Sequence, residues 1–401
     1  MRQRAPSIRR AATVLAACLL TACGAADVLP GETAVTDSAG VRLVHSAAPR
    51  HALDAAPRLS AEPELVIGVR EGDPVYQFSG LRGSRLREDG GVVVIDASRQ
   101  IRYFDRAGRH VRTVGGQGSG PGEFRGPLGL MTLPGDSLMV SDFQLRRATV
   151  LDPEGTVLEV FPLPRVGLPP PQLVDVLPDG RLLHSVTDRP EGWPTGVVET
   201  TYIYTAVAPG RAAVDTLFVR GRPAMFGVGN GMISLPYARG FSARVDGETL
   251  LVADGQAGAV ERISLDGLVL ARYSWAASRL PVTESMKDAH RQQRAPSVAR
   301  MTGGSAEGVL DDLPFPDSLP AFDSMRPDRG SGRIWLRRFV VDATPHVWTV
   351  LDTDGSWLAD VEMPPGFSLS DILDGRIVGV WWDEFDVPYV HVYALHGLAA
   401  P

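Results

Sequence analysis

The sequence predicts an all-β protein: six small four-stranded antiparallel sheets set in a ring. Two observations lead to this. Tight-turn signatures recur at a fixed period, and each is followed by short strand-like runs. The signatures are Glu88-Asp89-Gly90, Pro134-Gly135-Asp136, Pro178-Asp179-Gly180, Asp246-Gly247, Asp328-Arg329-Gly330 and Asp374-Gly375. Their glycines stand at 90, 135, 180, 247, 330 and 375, so three of the five intervals are 45 residues. Glycine supplies the positive φ of such turns, and Asp bonds its own backbone.

The elements follow in order. After each turn comes a strand run: Val92–Ile95, Leu138–Val140, Leu182-Leu183, Leu250–Val252, Ile334–Leu336 and Ile377–Trp382. A second strand follows some ten residues later, as at Ile101–Phe104, Thr149–Leu151, Tyr202–Val207, Val260–Ile263, Val347–Leu351 and Tyr389–Tyr393. A second turn and an outer strand complete each of the first five units, for example Asp105–Gly108 followed by Val111–Val114. With the strand that precedes the first turn, this gives four strands in a period near 45, the pattern of a β-propeller blade. The last unit has no outer strand of its own, because the chain stops at Pro401 soon after its third strand. Bare strand edges promote aggregation. Two early segments, Val41–His45 and residues 64–68, are spare, and the second is expected to close the ring.

The connection from Arg112-Thr113-Val114-Gly115 through Gly118-Ser119-Gly120-Pro121-Gly122-Glu123-Phe124 to Pro127 and Gly129 resembles the glycine-rich link of NHL repeats. Val140-Ser141-Asp142 and Val252-Ala253-Asp254 resemble the NHL ending of a second strand. The whole layout is similar to bacterial six-bladed propeller lipoproteins, and that resemblance covers nearly the full mature chain. The third, fifth and sixth units depart from it, with Ser185, Arg337 and Trp381 near the place of the Asp.

Arg2, Arg4, Arg9 and Arg10 precede the apolar stretch Ala11–Leu20, the layout of a secretory signal too short to span a bilayer. Leu20-Thr21-Ala22-Cys23-Gly24 resembles the bacterial lipobox, which implies a signal peptide over residues 1–22 and lipidation of Cys23. Cys18 falls within the signal, so the mature body is expected to hold no free thiol, no disulfide and no Cys-ligated zinc. Residues 23–38 read as a flexible tether and 39–398 as the propeller, with an insertion over 274–319. Gly24 and Ala25 lack the Asp of inner-membrane retention, so the resemblance favours the outer membrane, facing the periplasm.

Of 401 residues, 44% are hydrophobic and 22% charged, with 43 Gly and 32 Pro, a globular and turn-rich composition. Formal charge is -7, and Lys287 is the sole lysine. Without the four arginines of the signal the body is more acidic still, which argues against a nucleic-acid partner.

Turns after the first and third strands are uniformly tight. Every elaboration falls at the other end: residues 115–126, 188–200, 220–237 and 274–319. That end is therefore the expected binding face. In the longest insertion, Thr283 is the expected N-cap of a helix over Glu284–Arg294.

The candidate site residues lie at this rim. Asp96, Asp142 and Asp254 occupy matching positions; pooled, they would bind Ca²⁺ through oxygen ligands, whereas singly each caps its own hairpin. Arg146 and Arg338, beside Arg99, Arg147 and Arg337, would bind an anion or pair with those aspartates. Trp382, in the cluster Trp381–Asp386, would anchor a glycan or protein. The eight histidines form no close metal-binding motif, no nucleophile elbow or Walker loop occurs, and residues 116–120 lack the lysine of a phosphate loop. These readings lead to a lipid-anchored, non-enzymatic propeller that binds a protein, peptide or glycan, without a resident cofactor. The alternative is a metal-dependent hydrolase or lactonase.

Overall fold

The computed structural model describes residues 33–52, 55–163, 172–188, 192, 194–209, 214–228, 231–238, 241–304, 306–341 and 345–398. The expected signal peptide, residues 1–22, and Cys23 lie outside them. Among the described residues the strands pair into six sheets. The first contains Gly83–Leu86, Val92–Ile95, Gln100–Phe104 and His110–Gly115. The second contains Pro127–Thr132, Leu138–Asp142, Arg147–Leu151 and Val157–Pro162. The third runs from Gln172–Val176 and Leu182–Asp188 through Gly196–Val207 and Val214–Val228 to a fifth strand, Gly231–Ser234. The fourth is built on Phe241–Asp246, Thr249–Asp254, Ala259–Ser264 and Val269–Trp275. The fifth holds Phe322–Pro327, Ile334–Arg338, Val347–Leu351 and Trp357–Glu362. The sixth holds Phe367–Leu373, Arg376–Trp382 and Pro388–His396.

Successive sheets are joined by buried clusters, and the second strands show how. Side chains alternate across a strand, so consecutive residues serve different cores. Val92 and Val94 enter a cluster with Leu373, Val378 and Val390 of the sixth sheet. Val93 and Ile95 enter another with Leu130, Leu138 and Val140 of the second. Trp335 likewise packs against Phe367 and Ile377 of the sixth sheet, while Ile334 and Leu336 pack against Leu251 and Val260 of the fourth. Burial on both faces is why these strands are continuously apolar. Where the sheets converge, first strands touch one another: those of the sixth and first, first and second, third and fourth, fourth and fifth, and fifth and sixth.

Both spare N-terminal segments are used. Leu65–Ile67 pairs antiparallel with the last strand, with Ile67 opposite Val390 and Leu65 opposite Val392. Arg58–Leu59 pairs with the end of the same strand. Val41–Ser46 lies parallel to Val269–Trp275 at the outer edge of the fourth sheet, followed by Thr33–Ser38, which makes that sheet six-stranded. Within the span expected as a tether, Thr33–Ser38 is strand, because it finds a hairpin partner in Val41–Ser46; residues 23–32 lie outside the described residues.

Three further expectations need correction. The described parts of 188–200 and 220–237 are largely strand, not loop: Gly196–Val207 and Val214–Val228 form a long hairpin that projects beyond the neighbouring sheets' strand length. Its β-branched and aromatic residues, Val197 to Tyr204, favour extended chain. Helix α1 spans Glu284–Thr302, past the expected stop at Arg294, although Thr283 does cap it by accepting from Met286 N. The positive φ of the fifth sheet's first turn belongs to Gly332 (71°), not to Gly330. Helix α1, helix α2 (Glu307–Asp311) and the projecting hairpin share a separate small core of Phe226, Val228, Ile233, Val298, Leu310 and Leu313.

Candidate functional site at the loop-bearing end and the centre

The rim aspartates sit at strand ends, where backbone N–H groups lack ladder partners. Asp142 resolves four of them. Its Oδ2 accepts from Arg125 N (2.7 Å) and Gly126 N (3.0 Å), and its Oδ1 from Gln144 N and Leu145 N (2.9 Å each). It thereby ties the incoming glycine-rich connection to its own turn. Asp96 does the same in the first sheet, accepting from Ser98 N (3.0 Å) and Ser79 N (3.4 Å) and pairing with Arg102 (3.3 Å). Asp254 accepts from Gln256 N and Ala257 N. All three are engaged locally, and among the described residues no group of three or more His, Cys, Asp or Glu is arranged to hold a metal ion. The alternative of a pooled Ca²⁺ site at the rim does not fit these residues. In the sixth sheet Trp381 stands at that register place, and Asp383, two residues further on, caps the following turn by accepting from Phe385 N and Val387 N (2.9 Å each).

The rim arginines are also structural. Arg147 donates to the carbonyls of Ser119 and Glu123 (2.8 Å each) and to that of Gly120, stitching the glycine-rich connection shut. Arg338 pairs with Asp360, and Arg337 with Asp323 at 2.7 Å. Arg146 is exposed and holds a positive φ of 51°, and its carbonyl accepts from Leu163 N.

The aromatic cluster behaves differently. Trp381 packs inward, its ring stacked on His391 at 5.1 Å and its Nε1 donating to Pro365 O. Trp382 points outward, 42% exposed, and Phe385 is 56% exposed with the Arg70 guanidinium 3.9 Å from its ring centre. Beside them opens a cleft of about 460 Å³, lined by Arg70, Gln77, Phe78 and Asp386 among others. Pro388, opposite Trp382 in the strand pairing, forms part of its wall. Of the sequence-predicted residues, Trp382 adjoins the cleft through Pro388 and Asp96 through Ser79.

A second group lies at the centre, and the sequence reading passed over it. Strand pairing aligns Arg85 with Val93, Met131 with Met139, Asp175 with Leu183, Arg244 with Leu251, Arg326 with Trp335 and Asp371 with Val378. In each case the partner is the second residue of the second strand or its structural equivalent, so these six occupy one register position in the six first strands. The signal was present in the sequence as a charge interrupting five of the six first strands. Asp371 accepts from Leu86 N (3.0 Å) and pairs with Arg329 (2.7 Å); Asp175 accepts from Val245 N (2.9 Å). Each aspartate thus holds the first strand of the next sheet. Among the described residues the arginines bond only backbone: Arg85 donates to Ser84 O (2.9 Å) and Ser370 O (3.3 Å), Arg244 to Ala243 O (2.7 Å), Arg326 to Met325 O (3.0 Å). Burial and the facing Arg244 and Arg85 push the Arg326 guanidinium down to about 10.

No protein-family profile matches this chain, and no curated protein matches it. Solved structures do share its fold. A member of the DUF4221 family from Bacteroides vulgatus is 10% identical, with a TM-score of 0.50 over 85% of this chain and 99% of that one. A Bacteroides fragilis protein described as exported is 12% identical (TM-score 0.49, covering 86% and 98%). A gluconolactonase from Xanthomonas campestris is 14% identical (TM-score 0.42, covering 84% and 99%). The fold is of propeller type. Such distant likeness carries the fold and not the chemistry. No described helix is long and apolar enough to cross a membrane.

Proposed function

We propose that the chain is a closed propeller of six blades, NHL-like in its repeats, in which Leu65–Ile67 serves as the outer strand of the last blade. It is held at the cell envelope by lipid on Cys23, on the periplasmic side of the outer membrane, and works as a non-enzymatic binding platform. Its partner is a peptide, protein segment or glycan taken up at the loop-bearing end. The observation that carries this reading is the cleft of about 460 Å³ whose lining residues Arg70 and Pro388 adjoin the exposed Phe385 and Trp382. Aromatic faces bury large area with little loss of side-chain freedom, and they suit both sugar rings and peptide side chains. Arg70 and Asp386 at the cleft add charged groups of both signs to orient a polar ligand. The hydrolase alternative shares a fold with known enzymes, but its expected metal ligands are committed to turns.

The test is direct. The intact chain is screened on arrays of bacterial envelope glycans and of short peptides, beside Trp382→Ala and Phe385→Ala. Because both rings are exposed, neither variant should lose more than ~0.5 kcal/mol of stability. A defined set of ligands retained by the wild type and lost by both variants is the expected result. Hits indifferent to both substitutions overturn the reading.

A further inference from the structure

We infer that Arg85, Arg244 and Arg326 form a binding site for a small oxyanion carrying two or more negative charges, at the centre of the molecule on the tight-turn side. The argument is independent of the cleft at the rim. The three come from the first, fourth and fifth sheets and share one register position. Each lies one or two residues before its sheet's first turn, so they gather at the mouth opposite the loop-bearing end.

Their partners are the decisive feature. Other internal arginines face a carboxylate: Arg102 faces Asp96, Arg329 Asp371, Arg333 Asp352 and Arg337 Asp323. Among the described residues, Arg85, Arg244 and Arg326 have no ion pair, and their hydrogen bonds go to main-chain carbonyls of their own strands and of Ser370. The nearby carboxylates are occupied, Asp371 by Arg329 and Leu86 N, Asp175 by Val245 N and Val176 N. With Asp371 balanced by Arg329, three guanidinium charges face the single carboxylate of Asp175. This concentration of positive charge occurs inside a chain of formal charge -7.

Like charges gathered away from bulk water repel strongly, and burial without partners costs free energy. A bound anion relieves both. A guanidinium presents its donors as a planar fork suited to carboxylate and phosphoryl oxygens, and several forks from different strands suit a multivalent anion better than chloride. A phosphoryl group and a polycarboxylate meet this chemistry equally.

The intact chain is followed by thermal unfolding and calorimetry at pH 7 with inorganic phosphate, citrate, or sodium chloride at matched ionic strength. Phosphate, citrate or both should raise Tm by at least about 3 °C at a hundredfold excess over Kd, with chloride ineffective. A response to phosphate alone identifies a phosphoryl ligand, and one to citrate alone a carboxylate. Arg326→Met and Arg244→Met should abolish the anion-specific shift while raising, or leaving unchanged, the Tm without anion, since each relieves repulsion. A purely structural role predicts the reverse. Arg85→Gln, which keeps a hydrogen-bond donor, provides the same readout if a methionine variant does not fold. Equal response to chloride, or an undiminished shift in the variants, overturns the proposal.

Discussion

The Asp371 carboxylate of the sixth sheet accepts the backbone N–H of Leu86 in the first sheet at 3.0 Å, between strands 285 positions apart in the chain. Asp175 and Val245 repeat the arrangement at 2.9 Å between the third and fourth sheets. Neighbouring sheets also meet through buried apolar side chains, which are not directional, whereas these two contacts fix orientation. Asp371 carries the larger share because it also anchors Arg329 through two bonds, at 2.7 and 3.2 Å. Asp371→Ala should cost about 3–5 kcal/mol, because it strands a buried N–H and a guanidinium. Asp371→Asn retains an acceptor for Leu86 and should cost less. Denaturant unfolding of the two variants checks the order, and equal losses would show that the acceptor itself contributes nothing.

The N-terminal strand on the last sheet makes a second prediction. Ile67 is 1% exposed and packs among Phe104, Val378 and Val390, so Ile67→Ala should destabilise by about 2–5 kcal/mol. Gly68 follows with φ +136°, and a Cβ there would come within 2.9 Å of Tyr389 Cδ1. Gly68→Ala should therefore cost more than Gly303→Ala, where φ is +67° and the Cβ would meet nothing. Light scattering adds a second readout: loosening Leu65–Ile67 uncovers the edge of Pro388–His396, and association should rise with unfolding still incomplete.

The repeat was legible in the sequence because turn chemistry is local. Glycines at 90, 135 and 180 and the paired apolar runs after them sufficed to place most of the strands. The destination of residues 64–68 followed from counting strands against turns. What local pattern could not show was which side chains meet. Asp96, Asp142 and Asp254 read alike whether they pool or cap, and only the positions of Ser79 N, Arg125 N and Gln256 N decide for capping. The central arginines were hidden for a related reason. A lone charge in a short strand reads as a solvent-facing position until the register brings three of them together.

Helix α1 shows tertiary packing overriding propensity. Pro296 removes one main-chain hydrogen bond, and on local grounds the helix should stop before it. Instead it continues to Thr302 because Val298, fully buried, inserts between Phe226, Ile233 and Leu310. Val298→Ala should cost about 2–3 kcal/mol in that small core. Hydrogen exchange should report the loss locally, with residues 297–302 losing protection before 285–293. Uniform loss along the helix would mean that its two halves do not depend separately on this contact.

His184 sets the acid limit. It is 1% exposed in the second strand of the third sheet, no charged group pairs with it, and burial pushes its pKa from 6.5 down to about 4. The folded protein thus holds the ring neutral where the unfolded chain protonates it. The direction is fixed by that difference: above pH 6.5 both states are neutral and nothing is lost. Between 6.5 and about 4 the unfolded state binds the extra proton and folding stability falls, by about 3 kcal/mol in total. His184→Leu removes the titration and keeps an apolar side chain of similar bulk, so its unfolding free energy should be flatter across that interval than the wild type's. Parallel pH profiles for the two proteins would show that the acid sensitivity arises at another site.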